Sequence, residues 1–127
     1  MTNYLINTNI AIDFLKGEDY SKTFILTNQE NIYYCQINEK ELLNYLKLSN
    51  KEKLIIKFFL STLNKVSIKK DSRIFDIYST LVLKYQYLNE HQNDALLAAL
   101  AILKDFTFVT RNRKHFEKID ELKKLLF

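Results

Sequence analysis

A chain of 127 residues with one glycine, no proline and one cysteine has room for one compact domain, and excludes linkers, low-complexity tails and an internal disulfide. Hydrophobic residues make up 47% and charged residues 27%, an ordinary globular balance, and no apolar stretch reaches the ~18 residues a membrane span requires. The formal charge of +4 is modest, but Arg111, Arg113, Lys114, Lys118, Lys123 and Lys124 gather near the C-terminus, where they would attract a polyanion or simply solvate a helix face.

The N-terminal run up to Asn7 has no basic region followed by an apolar h-region, so the expected location is a reducing cytoplasm with no membrane attachment. Tyr4-Leu5-Ile6 predicts a strand, and Asn7-Thr8-Asn9 a loop. Ile10, Ala11, Phe14 and Leu15 then take helical spacing until Gly17, placed where a left-handed residue would stop the helix. A further helix is expected around Tyr20 to Leu26, followed by a buried strand, Ile32-Tyr33-Tyr34-Cys35, with Cys35 an inert core thiol. Asn38 is placed to cap a helix carrying Leu42, Leu43 and Leu46, and Ser49-x-x-Glu52 is a capping box opening another with Leu54, Ile55, Phe58, Phe59 and Leu63. Asp71 or Ser72 starts a helix whose apolar positions run from Ile74 to Tyr85 at a 3.6 period. The alanine-rich run from Asp94 to Leu103 predicts a central helix, and Phe106 to Val109 a last strand. The tail with Ile119, Leu122, Leu125 and Leu126 reads as a closing helix, with an edge strand as the alternative. Alternation of strands and helices predicts an α/β fold with a mainly parallel sheet covered on both faces.

In such a fold functional groups collect beyond the carboxyl ends of the strands. Those positions hold Asn7, Asn9, Glu41, Asp94 and Asn112. Oxygen donors from several strand ends suit Mg²⁺ or Mn²⁺, and no zinc-type spacing or glycine-rich phosphate loop is present. Each residue also has a plainer reading: Glu41 as the reciprocal partner of Asn38 in a capping box, Asp94 as an acid at a helix N-terminus, and the asparagines as turn residues.

The segments Tyr4-Leu-Ile-Asn7-Thr8-Asn9-Ile-Ala-Ile-Asp13-Phe-Leu-Lys-Gly17, Ile37-x-x-x-Glu41-Leu-Leu, Asn93-Asp94-Ala-Leu-Leu-Ala-Ala and Phe108-Val-Thr110-Arg111-Asn112-x-Lys114-His115-Phe resemble the motifs of PIN-domain proteins in order and spacing. Within that family the chain is similar to VapC toxins of bacterial toxin–antitoxin pairs. The resemblance implies a PIN-like three-layer α/β/α domain over residues 1–127 and a Mg²⁺- or Mn²⁺-dependent endoribonuclease that cuts structured RNA such as tRNA. It also implies a homodimer and a cognate VapB-type antitoxin whose C-terminal segment occupies the active-site groove, with operator DNA bound only through the antitoxin complex.

Carried over residue by residue, the family's catalytic acids fall at Asn7, Glu41, Asp94 and the more variable Asn112, with Asn7, Glu41 and Asp94 as the metal ligands. Thr8, Asn9 and Thr110 support them; Arg111, Arg113 and Lys114 would contact RNA phosphates; His115 is given a packing or phosphate-contact role. Asn7 departs from the pattern, which has Asp immediately before Thr-Asn. A neutral amide there implies impaired catalysis, either because the acid was exchanged to silence a toxic nuclease or because the protein has become a catalytically silent binder of antitoxin or RNA.

Overall fold

The computed structural model describes residues 1–45 and 47–127, so the helical position expected for Leu46 lies outside the described residues. Strands β1 (Tyr4–Ile6), β2 (Ile32–Tyr34), β3 (Asn64–Lys65), β4 (Thr107–Thr110) and β5 (Lys124–Leu126) form one sheet in the order β3-β2-β1-β4-β5. Every pairing is parallel, as when Tyr4 faces Ile32 on one side and Thr107 on the other. Helices α1 (Thr8–Leu15), α2 (Asp19–Asn28), α3 (Gln36–Leu43), α4 (Asn50–Ser61), α5 (Ser72–Lys84), α6 (Gln92–Lys104) and α7 (Arg113–Phe116) connect them. None of the described helices is long and apolar enough to cross a membrane.

Side chains alternate along each strand, and the alternation divides the core into the two halves of a three-layer α/β/α fold. Leu5, Tyr33 and Phe108 pack on one face with α5, α6 and Phe116 of α7, while Ile6, Ile32, Tyr34 and Val109 pack on the other with α1, α2, α4 and Leu42 of α3. The run Leu97 to Ala101 of α6 is wholly buried, which explains why that helix is apolar nearly all round.

Local signals set most boundaries. Gly17 has φ +84 and its N–H donates to the Phe14 carbonyl, ending α1 where the glycine stands. Ser49 and Glu52 exchange both capping hydrogen bonds, at 3.0 and 3.1 Å, and Asp71 rather than Ser72 caps α5 through the backbone N–H groups of Arg73 and Ile74.

Three expectations need correction, and one strand left no mark in the sequence. Asn38 does not cap α3 from outside: Cys35 is the N-cap residue, and Asn38, inside the first turn, accepts from the Cys35 N–H at 2.9 Å. Helix α6 opens at Gln92, so Asp94 lies within its first turn. The C-terminal tail is not a helix but the edge strand β5, aligned so that Leu125 faces Val109, and Arg113 holds it by donating to the Leu126 and Phe127 carbonyls. Strand β3 carries only Asn64 and Lys65, too short and too polar to show a pattern of alternation.

Candidate functional site

Because the strands are all parallel, their carboxyl ends share one edge of the sheet. From β1 the chain works outward through β2 to β3, then returns to place β4 on the other side of β1, so the crevice between β1 and β4 is the switch point where α/β sheets receive ligands. Asn7 leaves β1 and Thr110 ends β4, and the Asn7 N–H donates to the Val109 carbonyl at 2.8 Å.

Asn7 is 6% exposed and Thr110 fully buried. The Asn7 amide is engaged at both ends: Oδ1 accepts from the Thr8 N–H at 2.8 Å, capping α1, and Nδ2 donates to Thr110 Oγ1 at 2.9 Å. That hydroxyl also receives the Asn112 N–H at 3.0 Å and Asn9 Nδ2 at 3.4 Å, so donors from three residues crowd an oxygen with two lone pairs. A carboxylate at position 7 would instead take the proton of Thr110, relieving the crowding.

Arg111 follows. Its backbone N–H donates to Asn9 Oδ1, and its guanidinium grips the Asp13 carboxylate at 2.7 and 3.3 Å. Tyr20 donates its hydroxyl proton to the same carboxylate. Burial pulls Asp13 upward, but hydrogen bonds from Arg111 and Tyr20, with the charges of Arg111 and Lys16, outweigh it and hold the carboxyl below its ordinary range. Burial and the bond to Asp13 push the Tyr20 hydroxyl up to about 12. This cluster pins the end of β4 onto α1 and α2.

The opposite flank is built from α3 and α6. Thr8 donates its hydroxyl to Glu41 Oε1 at 2.6 Å, a charge-assisted bond, and accepts from Asn38 Nδ2 at 3.1 Å. Asn38, 1% exposed, also donates to the Ile6 carbonyl, joining the ends of β1 and β2. Asn93 Nδ2 reaches Glu41 Oε2 at 3.5 Å, bringing the start of α6 to face α3. Asp94 is half-buried and lies 2.6 Å from His115 Nδ1, whose ring packs on that of His91 at 4.0 Å. A cavity of about 500 Å³ opens beside Glu41, lined among others by Gln36, Lys40, Lys70, Gln92 and Asn93.

Asn7, Thr8, Asn9, Thr110 and Asn112 thus meet at the switch point, and Glu41 joins them through Thr8. Asp94 connects to Glu41 through its neighbour Asn93. Glu41 is no capping partner of Asn38, whose amide bonds elsewhere. The cationic trio divides: Arg111 is paired with Asp13, Arg113 holds the β5 carbonyls, and Lys114 is exposed with no ion pair among the described residues. Sequence reasoning did not single out Asn38, Asn93, Asp13 or His91 as parts of the site. The available signals were the spacing of Asn38 to Glu41 and the places of Asp13 and Asn93 inside the segments that resemble the family's motifs. The thiol of Cys35, pushed up by burial, has the inert character expected of it.

Glu41 and Asp94 each accept one short hydrogen bond and retain lone pairs of the kind a hard divalent ion takes, whereas Asn7 offers only a neutral oxygen already bonded to Thr8.

A family model described as PIN domain matches residues 4–122. No curated relative matches the chain in sequence. Among solved structures, VapBC2 from Rickettsia felis bound to a DNA fragment from its promoter has a TM-score of 0.81 at 24% identity, covering 99% of both chains. DNA-bound VapBC from Salmonella typhimurium has a TM-score of 0.78 at 16% identity over 98% of each chain. A toxin–antitoxin complex from Klebsiella pneumoniae has 0.74 at 23% identity, covering 94% of this chain and 95% of that one. At these identities the likeness is one of fold. The family match spans nearly the whole sequence, and on it this chain belongs to the PIN-domain family, whose members are generally nucleases.

Proposed function

We propose that the chain is the toxin of a VapBC-type pair, one PIN-like domain over residues 1–127 that acts in the cytoplasm as a metal-dependent endoribonuclease on structured RNA such as tRNA, and that Asn7 impairs it. The observation that carries the reading is the convergence of Asn7, Thr8 and Glu41 with Thr110 at the β1/β4 switch point, on a chain whose family match is PIN. Glu41, Asp94 and, weakly, Asn7 would hold Mg²⁺ or Mn²⁺, which would activate a water for attack on a phosphodiester. Thr8 orients Glu41, Asn38 orients Thr8, and Thr110 and Asn9 fix the loop that carries position 7. Lys114, with Arg111 and Arg113 beside it, contacts RNA phosphates.

A VapB-type antitoxin and a second copy of the chain complete the reading, with operator DNA reached through the antitoxin. The complexes named among the similar structures support an antitoxin. So does an apolar groove of about 270 Å³ lined by Ile12, Leu15, Leu42, Tyr45, Leu48 and Ile55, next to the exposed Leu54 and Phe58 of α4.

One observation favours the alternative of a catalytically silent protein that only binds antitoxin or RNA: both ends of the Asn7 amide are hydrogen-bonded. Cleavage of total RNA with Mg²⁺, with Mn²⁺ and with EDTA decides between them. Asn7→Asp raises metal-dependent cleavage at least about a hundredfold, because a lost ligand affects both ion affinity and the positioning of water. Equal rates for the two forms at saturating metal would overturn the reading.

A further inference from the structure

The chain contains two histidines, His91 and His115, and both stand beside Asp94. One donor atom from each of these three residues lies within 4.8 Å of the other two, and all three side chains are half-buried. His91 stands at the N-cap of α6, Asp94 stands in the first turn of the same helix, and His115 comes from α7, so two separate stretches of backbone are brought together. The positions are held: the His91 N–H donates to the Leu88 carbonyl and its own carbonyl accepts from Ala95, while Tyr87 donates its hydroxyl to the His115 carbonyl at 2.8 Å.

The bond between Asp94 and His115 accounts for one imidazole nitrogen and one carboxylate oxygen. It leaves the presence of His91, packed ring to ring at 4.0 Å, unexplained. Two imidazoles and a carboxylate are the donor set of an open tetrahedral site, in which bonds near 2 Å place ligand atoms about 3.3 Å apart. The 2.6 Å Asp94–His115 separation needs only to widen slightly, and the His91 nitrogen to approach. Imidazole nitrogen binds Mg²⁺ poorly and Zn²⁺, Co²⁺ or Ni²⁺ well. The N-terminus of α6 disfavours a cation, so the charge of Asp94 is required beside the two neutral donors.

We propose that His91, Asp94 and His115 bind a borderline transition-metal ion, Zn²⁺ or Co²⁺, with an open position left for water. Cys35, the chain's single thiol, is buried and offers no competing site. The site shares Asp94 with the proposed Mg²⁺ position, yet its occupancy does not depend on whether the chain cuts RNA.

The experiment uses the untagged chain without RNA. With excess Co²⁺ it develops the visible absorption of a tetrahedral ion, and by calorimetry it binds Zn²⁺ at least about a hundredfold more tightly than Mg²⁺. His91→Asn and His115→Asn each weaken Zn²⁺ binding at least about tenfold, while Glu30→Gln, at an exposed residue just before β2, changes it less than about twofold. Since either histidine variant could unfold, the imidazole nitrogen resonances of the unmutated chain give a second readout: with two histidines there are two sets, and Zn²⁺ shifts both. Absence of the Co²⁺ absorption, or a Zn²⁺ titration that moves neither or only one histidine, would overturn the proposal. An Asn7→Asp form that cuts RNA without binding Zn²⁺ would overturn this site and leave the nuclease reading standing; Zn²⁺ binding without cleavage would do the reverse.

Discussion

On the β1/β4 flank of the site, the polar groups answer one another: the Asn7 amide is bonded at both ends, Thr110 is crowded with donors, and Arg111 is gripped by Asp13. On the α3/α6 flank, Glu41 and Asp94 are half-buried, each with one short hydrogen bond, beside a cavity and a pair of imidazoles. The first arrangement fixes geometry, and the second leaves carboxylate oxygens and imidazole nitrogens with bonding capacity to spare. A basic residue near a strand end can thus also serve the fold. Arg111 stands in a segment that resembles a PIN-domain motif, and its fork is matched to a carboxylate within the protein.

Breaking the first flank gives the largest expected effect. Asp13 is nearly buried while its partner is half exposed, so Arg111→Ala leaves a carboxylate with Tyr20 alone and destabilises the fold by about 2–3 kcal/mol, below the 3–5 of a fully buried pair. Because the folded state lowers the Asp13 pKa, the pair contributes stability above the unfolded value of about 3.9, and that stability is lost as pH falls through the lowered folded value. Denaturant melts between neutral pH and acid check both points: the unmutated chain loses stability below about pH 4, and Arg111→Ala loses less over the same interval. An Arg111→Ala form as stable as its parent would remove the distinction between the flanks.

The smaller effect lies at Lys114. Its replacement by Ala changes stability by less than about 0.5 kcal/mol but lowers the slope of RNA affinity against salt by about 1, the signature of one phosphate contact. An unchanged slope in filter binding over a salt series would place the RNA path elsewhere, with Lys40 and Lys70 at the cavity the next positions to test.

What could be read in the sequence was whatever chemistry confines to a few neighbouring residues. β1, β2 and β4 showed as short apolar runs, Gly17 marked a helix end, and Ser49 with Glu52 marked a start. The two edge strands were missed or left as an alternative because Asn64–Lys65 has no apolar face and β5 is defined by its partner β4. The asparagines, Glu41 and Asp94 stood out by their places after the strands and by their resemblance to the family's motifs. The site's internal wiring did not: Arg111 meets Asp13 across 98 positions, and Asn38 meets Thr8 across 30. A sequence carries no local mark of such pairings, so the same residues that read as free cations or helix caps turn out to be fasteners.

In the proposed function, position 7 belongs to a metal site completed by Glu41 and Asp94. Thermal melts of the chain and of Asn7→Asp, each in EDTA and in saturating Mg²⁺, test it most directly. In EDTA the Asp form carries an added like charge near Glu41 and Asp94, on the order of 1 kcal/mol, partly offset because an acid also suits the N-terminus of α1. Mg²⁺ bound by the folded state alone relieves that repulsion, so the Asp form gains several degrees more than the Asn form. Equal shifts for the two proteins on adding Mg²⁺ would contradict the account, because they would mean that position 7 takes no part in holding the ion.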